Sequence, residues 1–510
     1  MAPLLTGSSL PGALLQPIAQ GAAYLRNKLG NLAWDHSVAI ARPAILSLFS
    51  GIEIGTLIII DEPAGERLIF GNPLDTGTHP NGTTDKTPNG TAHLSNKRNT
   101  HKPPHATLTI TSPAFYPRLL LLADMGFAAS YLLHEAACPD LTAFFRLFVL
   151  NRARLGNGTT WSSSALVGTR ARLLGVTNGG TGGWGSKTII TNTPANALLN
   201  AAAHYDLGND MFAAFLSRDM TYSCPIWKEE TGRAEAREEE GDGLEDAQMR
   251  KLRRVIERAR ISAADHVLEI GTGWGSFAIE AVKSTGCRVT SLTLSREQKG
   301  WAEERIEREG VGDRVEVLLM DYRDEKLPVP EGGYDKVVSI EMIEAVGKEF
   351  LGTYFGRVDR VLKRDGGIAV FQCITMPEGR HQAYSTREDF INRYIFPGGY
   401  LPSITQLLNH IAAASRGTLI VENVENIGGH YARALRLWNE RFLAAFEDKI
   451  RPALIEEHPE MTEEEVEVFR RKWEYYFAYS EAGFLTKTLG DVIITVGREG
   501  AMELMEGIPL

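Results

Sequence analysis

Residues His266–Ala281 read HVLEIGTGWGSFAIEA. A short β-rich run meets a glycine-rich turn, and a second apolar stretch follows at once. This is the pattern of a strand, a tight loop and the start of a helix. Such a loop offers backbone N–H groups and a helix N-terminus to a nucleotide. Its spacing narrows the choice. GTGWGS is G-x-G-x-G, not the G-x-G-x-x-G of a dinucleotide fold, and no Gly-Lys-Ser/Thr follows as in a P-loop. Glu269 stands on the strand just before the glycines, where its carboxylate orders the loop or meets a cationic ligand.

Outward from this stretch, short β runs alternate with helical pattern: HVLEI, RVTSLTL, RVEVLLM, DKVVSI and GGIAVFQCIT. The series predicts an α/β fold with a doubly wound parallel sheet, to which TLIVENV and DVIITVG add two strands. Polar residues that follow successive parallel strands share one crevice at the carboxyl edge of the sheet. Where a dinucleotide enzyme carries an acid for the ribose, SLTLSREQ offers Thr293 and Gln298. After the third strand, MDYRD offers Tyr322 and Arg323 to flank an adenine. This set suits a mononucleoside with a small charged tail, and S-adenosylmethionine is the candidate.

The chain has 510 residues, enough for two or three domains. A net charge of -10 disfavours a nucleic-acid partner. Four scattered cysteines, with no CxxC or Cys/His cluster, argue against a metal site or a disulfide framework and fit a reducing compartment. The most apolar stretch, LLLLADMGFAASYLLHEAA, is broken by Asp124, His134 and Glu135, so no membrane span is expected. The first thirty residues lack acids and carry Arg26 and Lys28; they read as a loose extension rather than a transit peptide. Residues 52–70 read as a β-hairpin. The Gly/Pro/Thr/Asn-rich residues 71–105 read as a disordered insertion, with the Asn-Gly-Thr triplets at Asn81 and Asn89 as loop sequence. A Gly/Thr-rich linker at 156–192 then separates an N-terminal domain (1–155) from a C-terminal domain (193–510). A helical insertion is expected between Arg380 and Arg416, and TEEE reads as a capping box built on Thr462 and Glu465.

Several stretches together resemble the cyclopropane-fatty-acyl-phospholipid synthases and their mycolic acid cyclopropane synthase relatives. They are HYDLGNDMFAAFLSRDMTYSCPIW (204–227), VLEIGTGWGSFA, LTLSREQ, MDYRD, SIEMIEAVG, YFGRVDRVLKRDGG, YIFPGGYLPS and GGHYARAL. The resemblance covers most of residues 200–500. It implies a class I S-adenosylmethionine-dependent methyltransferase (Rossmann-like) fold with a smaller N-terminal α+β domain for lipid or membrane docking. It implies a cytoplasmic enzyme at the membrane periphery, with a homodimer allowed, that adds a methylene across a cis double bond of a phospholipid acyl chain. The open alternative is methyl-branching of an unsaturated fatty acyl or sphingoid lipid without ring closure.

The resemblance also implies roles for residues. Tyr222, Ser223, Gly271, Gly273, Trp274, Gly275, the run from Thr293 through Ser295 to Gln298, and Tyr322 with Arg323 would contact the cofactor. Trp274 reads equally as loop packing. The base would be a bound bicarbonate ion. Glu344 would accept its hydroxyl, the backbone amides of Cys224 and Ile374 would donate to it, and so would the Tyr431 phenol. The family's remaining ligand is a histidine, and Gln372 stands there instead. A glutamine amide still donates to an oxyanion but cannot take up a proton. Cys224 is read as an amide donor rather than a nucleophile, and Glu341, one helical turn before Glu344, as structural. Tyr394, Phe396, Tyr475, Tyr476 and Tyr479 are candidates for an acyl channel or a cation-stabilising wall. The basic runs NRAR (151–154) and RKLRRVIERAR (250–260) read either as contacts to anionic headgroups or as solvated faces.

Turn-rich segments poor in packing residues are cut first by proteases. Limited proteolysis is therefore expected to nick residues 71–105 and 156–192 before any other segment; first cuts elsewhere would move the domain boundary.

Overall fold

The computed structural model describes residues 36–72, 102–155, 208–228 and 243–509. The 156–192 linker, residues 73–101 of the insertion, the N-terminal thirty residues and the first residues of the 204–227 block lie outside these. The described residues fall into two compact units, 36–155 and 208–509.

The first unit opens with a helix over residues 36–49 whose buried stripe, Ser37, Ala41, Ile45 and Phe49, repeats every fourth residue. The expected hairpin is present as β1 (Thr56–Asp61) and β2 (Glu66–Gly71). Strand β3 (His105–Ile110) lies parallel to β1, and the short β4 (Ala136–Ala137) completes the sheet in the order β2-β1-β3-β4. Along β1, Leu57, Ile59 and Asp61 face the core. The buried Asp61 carboxylate is neutralised by the Arg42 guanidinium at 2.8 Å and the Tyr116 hydroxyl at 2.6 Å. Helices Phe115–Leu122, Asp124–Leu132 and Leu141–Leu150 complete an α+β unit.

The second unit is built on seven strands: β5 (His266–Ile270), β6 (Arg288–Thr293), β7 (Val315–Leu319), β8 (Lys336–Ile340), β9 (Ile368–Thr375), β10 (Ile420–Asn426) and β11 (Gly490–Gly497). Their order is β10-β11-β9-β8-β5-β6-β7. Strands β5 to β9 pair in parallel, as the alternating pattern predicts. The last strand departs from the expectation of an all-parallel sheet. β11 is antiparallel to both β9 and β10, and it inserts between them rather than extending the edge. The reason lies in what precedes it. Between β10 and β11 the chain runs through two long helices packed on each other, Tyr431–Ala445 and Glu463–Leu485, instead of the single helix of a parallel crossover, so it re-enters the sheet in the opposite direction. The second of these helices begins with the expected capping box: Thr462 accepts from the Glu465 N–H, and Glu465 accepts from the Thr462 N–H. The insertion between Arg380 and Arg416 contains helices Phe390–Tyr394 and Ile404–Ser415, with Glu378–Tyr384 at its start.

Two registers matter for the site. Ile270, Leu292 and Leu318 stand side by side across β5, β6 and β7, so the loops that follow these strands open on one edge. On the other half of the sheet, Gln372 lies opposite Ile340 of β8 and Ile493 of β11, and Ile374 lies opposite Asp491.

Candidate active site

The glycine loop leaves β5 at the switch point of the sheet, between β6 and β8. The N–H groups of Gly271 and Thr272 donate to the Leu292 carbonyl at 3.0 and 2.9 Å, pinning the loop to β6. Gly273 has φ +52°, and a Cβ built there would meet nothing within 4 Å. Its outer face is therefore open, as a loop that receives a ligand requires. Gly275 (φ +84°) packs against Ala302, where a Cβ would come within 3.3 Å of the alanine methyl. Glu269 is buried, and burial pushes its carboxyl up to about 8. It accepts from the Ser291 hydroxyl, which also reaches Thr272 at 2.7 Å. Glu269 thus orders the loop from beneath.

The other expected cofactor residues reach the same edge, several with their side chains already engaged. Thr293 donates to Gln298 at 3.0 Å. Ser295 caps the helix Arg296–Arg308 by accepting from the Gln298 N–H. Arg323 is clamped by Asp321 in a two-point ion pair at 2.8 and 2.6 Å, with its guanidinium over the Tyr322 ring at 5.3 Å. The Tyr322 ring packs edge-on against Tyr354 within the core. The indole N–H of Trp274 donates to Asn209 at 2.8 Å and its ring leans on Phe212.

Residues 221–227 form a strap across the carboxyl edge of the sheet, fastened by the helix Leu244–Arg258. Gln248 donates to the Ser223 carbonyl at 2.7 Å, Arg250 to the Ile226 carbonyl at 2.6 Å, and Lys251 to the Ser223 hydroxyl at 2.6 Å. Lys251 is fully buried, and burial lowers its amine's pKa. Ser223 is therefore a fastening point. The other arginines of the run 250–260 form ion pairs at or near the surface: Arg253 with Glu280, Arg254 and Arg258 with Glu425, and Arg260 with Glu506. In the first unit, Asn151 of NRAR is buried and accepts from the N–H groups of Glu53 and Ile54. Arg152 and Arg154 of the same run are exposed, with Arg154 paired to Glu53 at 3.2 Å.

The strap delivers Tyr222 into an aromatic wall. Its ring packs on Phe212, Phe215 and Trp438, and its hydroxyl meets that of Tyr476 at 2.8 Å. Tyr476 contacts Phe396, and Tyr431 stacks on Phe484 at 4.6 Å. Of the five aromatics singled out in the sequence, Tyr476 and Phe396 join this wall. Tyr394 and Tyr475 pack instead around Phe390, with Tyr479 stacked on Tyr475. Residues 475 and 479 lie one turn apart on a different face of their helix from Tyr476.

The groups expected around an anion converge on two carboxyls of the chain itself. The Cys224 N–H donates to Glu341 at 2.7 Å, the Gln372 amide to the same carboxyl at 2.8 Å, and the Tyr431 hydroxyl to its other oxygen at 2.7 Å. The Ile374 N–H donates to Glu344. The placement of Glu341 differs from the one its spacing to Glu344 suggests. Glu341 does not precede Glu344 on a helix. It follows β8 directly, and Glu344 lies in a 3₁₀ turn, Ile343–Ala345. Its backbone is left-handed, with φ +47°, a conformation that costs a non-glycine residue roughly 1–2 kcal/mol. Two acids three residues apart at a strand's carboxyl end, together with the Gln372 departure, were the available signal.

Two further carboxyls surround this hub. Burial and the neighbouring Glu341 raise the pKa of Glu344 and of Asp491. Asp491 entered no sequence-based candidate set, because it reads as an ordinary strand residue. Burial likewise pushes the Cys224 and Cys373 thiols well above the usual range, which removes them as nucleophiles. No group of side chains suited to a metal ion occurs among the described residues.

Residues 193–493 match the profile of the mycolic acid cyclopropane synthetases. The chain belongs to that family. The cyclopropane-fatty-acyl-phospholipid synthase of Escherichia coli K12 is 31% identical over 78% of this chain and 90% of its own length. A tuberculostearic acid methyltransferase of Mycobacterium tuberculosis is 42% identical over 59% of this chain, and the match spans 65% of that relative. Among solved structures, a coclaurine N-methyltransferase aligns with a TM-score of 0.52 over 74% of this chain and all of its own, at 18% identity, a likeness of fold alone. The family relatives and the strand order together make the second unit a class I S-adenosylmethionine-dependent methyltransferase fold, and the chain a member of a family of lipid-modifying enzymes.

The open face of Gly273 sets a test. Gly273→Val puts a β-branched residue into a left-handed backbone and a side chain into the ligand's approach. Affinity for S-adenosylhomocysteine, measured by calorimetry, should fall by about tenfold or more, the equivalent of roughly 1.4 kcal/mol. Unchanged affinity in a folded variant would remove the loop from the cofactor site.

Proposed function

We propose that this enzyme transfers one carbon from S-adenosylmethionine to a cis double bond in the acyl chain of an unsaturated phospholipid, and that loss of a proton then closes a cyclopropane ring. The observation that carries this reading is the meeting of a buried, donor-ringed carboxyl cluster with an aromatic wall, beside the glycine loop.

When bound, the cofactor supplies an electrophilic methyl group on a sulfonium. Gly271, Gly273 and Gly275, with Thr293 and Gln298 beyond β6, are the residues that hold it. An alkene is a weak nucleophile, so the protein's first task is to hold the double bond in line at near-attack distance. The strap and its aromatic residues suit that task. Once the π electrons have formed the new C–C bond, the acyl chain carries a cation. The faces of Tyr222 and Trp438 stabilise such a charge without attacking it. Dense aromatic packing keeps water, which would trap the cation, away from it. Tyr431 stays a proton donor, since burial and the Glu341 charge hold its phenol well above the ordinary range.

The acyl chain has to leave a bilayer to reach this site, so we place the enzyme at a membrane surface. No helix among the described residues is long and apolar enough to cross one.

A second reading has an observation behind it. The relative at 42% identity is named a tuberculostearic acid methyltransferase, not a cyclopropane synthase, which favours methyl transfer without ring closure. The two outcomes differ at one step. The cation either loses a methyl proton with ring closure, or undergoes a hydride shift and loses the proton to leave a methylidene branch. The second product needs a separate reduction to become a saturated methyl.

The test uses S-adenosylmethionine with a fully deuterated methyl group and a cis-monounsaturated phospholipid. Ring closure leaves two deuterons on the added carbon and places ring protons at high field in the NMR spectrum. Olefinic signals in the ²H and ¹³C spectra, from a methylidene that carries both remaining deuterons, would establish the second reading, and a saturated branch retaining all three deuterons would contradict proton loss altogether.

A further inference from the structure

The resemblance to the cyclopropane synthases implies a bicarbonate ion held by the Cys224 and Ile374 amides, the Tyr431 phenol, Glu344 and the residue at 372. These residues do not fit one here. The Cys224 N–H, the Gln372 amide and the Tyr431 hydroxyl all point at the carboxyl of Glu341, at 2.7, 2.8 and 2.7 Å, and the Ile374 N–H is taken by Glu344. A planar three-atom carboxylate and a planar bicarbonate offer donors the same two-oxygen face. A phenol O–H, a backbone N–H and an amide N–H can each serve one acceptor well, so a second anion would find them taken. It would also have to enter beside the Glu341 carboxylate in a buried site, where like charges repel strongly.

Three further features fit a carboxyl that belongs to the protein. Glu341 sits in a left-handed backbone conformation, φ +47°, that a glycine adopts freely, so its side chain is held there against a conformational penalty. Gln372, unlike a histidine, cannot accept the proton, and its Nε2 is committed to Glu341 while its Oε1 has no partner. The Glu341 N–H is itself fixed to the Gln372 carbonyl at 2.9 Å, so backbone and side chain of the two residues hold each other in place.

We propose that the Glu341 carboxylate is the base of this enzyme, in place of a bicarbonate ion, and that the enzyme neither binds nor requires bicarbonate. The identity of the reaction rests on the reading above; the exclusion of bicarbonate rests on the hydrogen bonds alone. The C–S bond of the sulfonium breaks with its electrons left on sulfur, and the alkene π pair forms the new C–C bond. A C–H bond of the transferred methyl then breaks, its electron pair closes the ring at the cationic carbon, and the proton passes to Glu341. That carboxyl returns the proton to water after the product leaves.

The test has two arms. In the first, binding of ¹³C-labelled bicarbonate is followed by NMR line broadening, with no lipid present. The wild type should give none. Glu341→Gly, which removes the carboxyl and relieves the left-handed backbone, should free three donors and bind the ion. Broadening by the wild type, or none by a folded Glu341→Gly, would overturn the proposal whatever the lipid chemistry proves to be. In the second arm, turnover of a cis-monounsaturated phospholipid is measured in carbon-dioxide-free buffer and with added bicarbonate. The wild type should be indifferent. Glu341→Gly should lose about a hundredfold or more in kcat, with unchanged affinity for S-adenosylhomocysteine, and recover with saturable dependence on bicarbonate. Glu341→Gln, which fills the same space without a base, should lose activity and stay unrescued. A wild type that depends on bicarbonate, or a Glu341→Gln variant at full rate, contradicts the role of Glu341; a wild type that modifies no lipid contradicts the reaction and leaves the first arm to decide the base.

Discussion

Three donors from three separate parts of the chain meet on the carboxyl of Glu341, and much of the second unit exists to bring them there. The Cys224 N–H comes from the strap, the Gln372 amide from the centre of the sheet, and the Tyr431 hydroxyl from the first turn of the helix Tyr431–Ala445. Each has its own support. The strap is held down by Gln248, Arg250 and Lys251. Gln372 is fixed by the β8–β9–β11 register. Tyr431 is braced by Phe484 and Trp438, while the neighbouring His430 receives the Trp227 indole N–H at its carbonyl. Moving any one of these elements by an ångström would leave an acid in the protein interior short of a donor, and an unsatisfied buried charge is among the costliest errors a fold can contain.

The surroundings make that hub chemically useful. Glu344 and Asp491 are pushed towards their protonated forms by burial and by Glu341 itself, so the cluster concentrates its acceptor character on one side chain. The same burial keeps the thiols of Cys224 and Cys373 and the phenol of Tyr431 protonated. Aromatic faces supply the remaining wall. The site thus holds one strong acceptor in a setting otherwise free of competing nucleophiles, the combination that a carbocation needs if it is to lose a proton rather than be trapped.

Much of this was readable in the sequence because it is locally encoded. The strand-helix alternation, the G-x-G-x-G turn and the Thr462–Glu465 capping box each depend on residues within a few positions of one another, and each is present where the pattern puts it. The elements that escaped are set by long-range contacts. The reversal of β11 depends on a pair of long helices packed on each other between it and β10. The basic run 250–260 has the composition of a membrane-facing patch, yet its charges find Glu280, Glu425 and Glu506 from distant segments. Glu341 was read through helical spacing, whereas the chain at that point is the end of a strand followed by a 3₁₀ turn, which swings its side chain to the sheet edge. Asp491 carries no local signal at all; only the pairing of β11 with β9 brings it to Ile374.

The central claim is that the donors expected to hold a separate anion hold a side chain instead. The most direct measurement is a high-resolution crystal structure of the wild-type protein, grown with S-adenosylhomocysteine in concentrated bicarbonate. The account predicts continuous density from the Glu341 backbone to the acceptor between the Cys224 N–H, the Gln372 amide and the Tyr431 hydroxyl. A detached trigonal ion on those three donors, with Glu341 turned away from them, would contradict it.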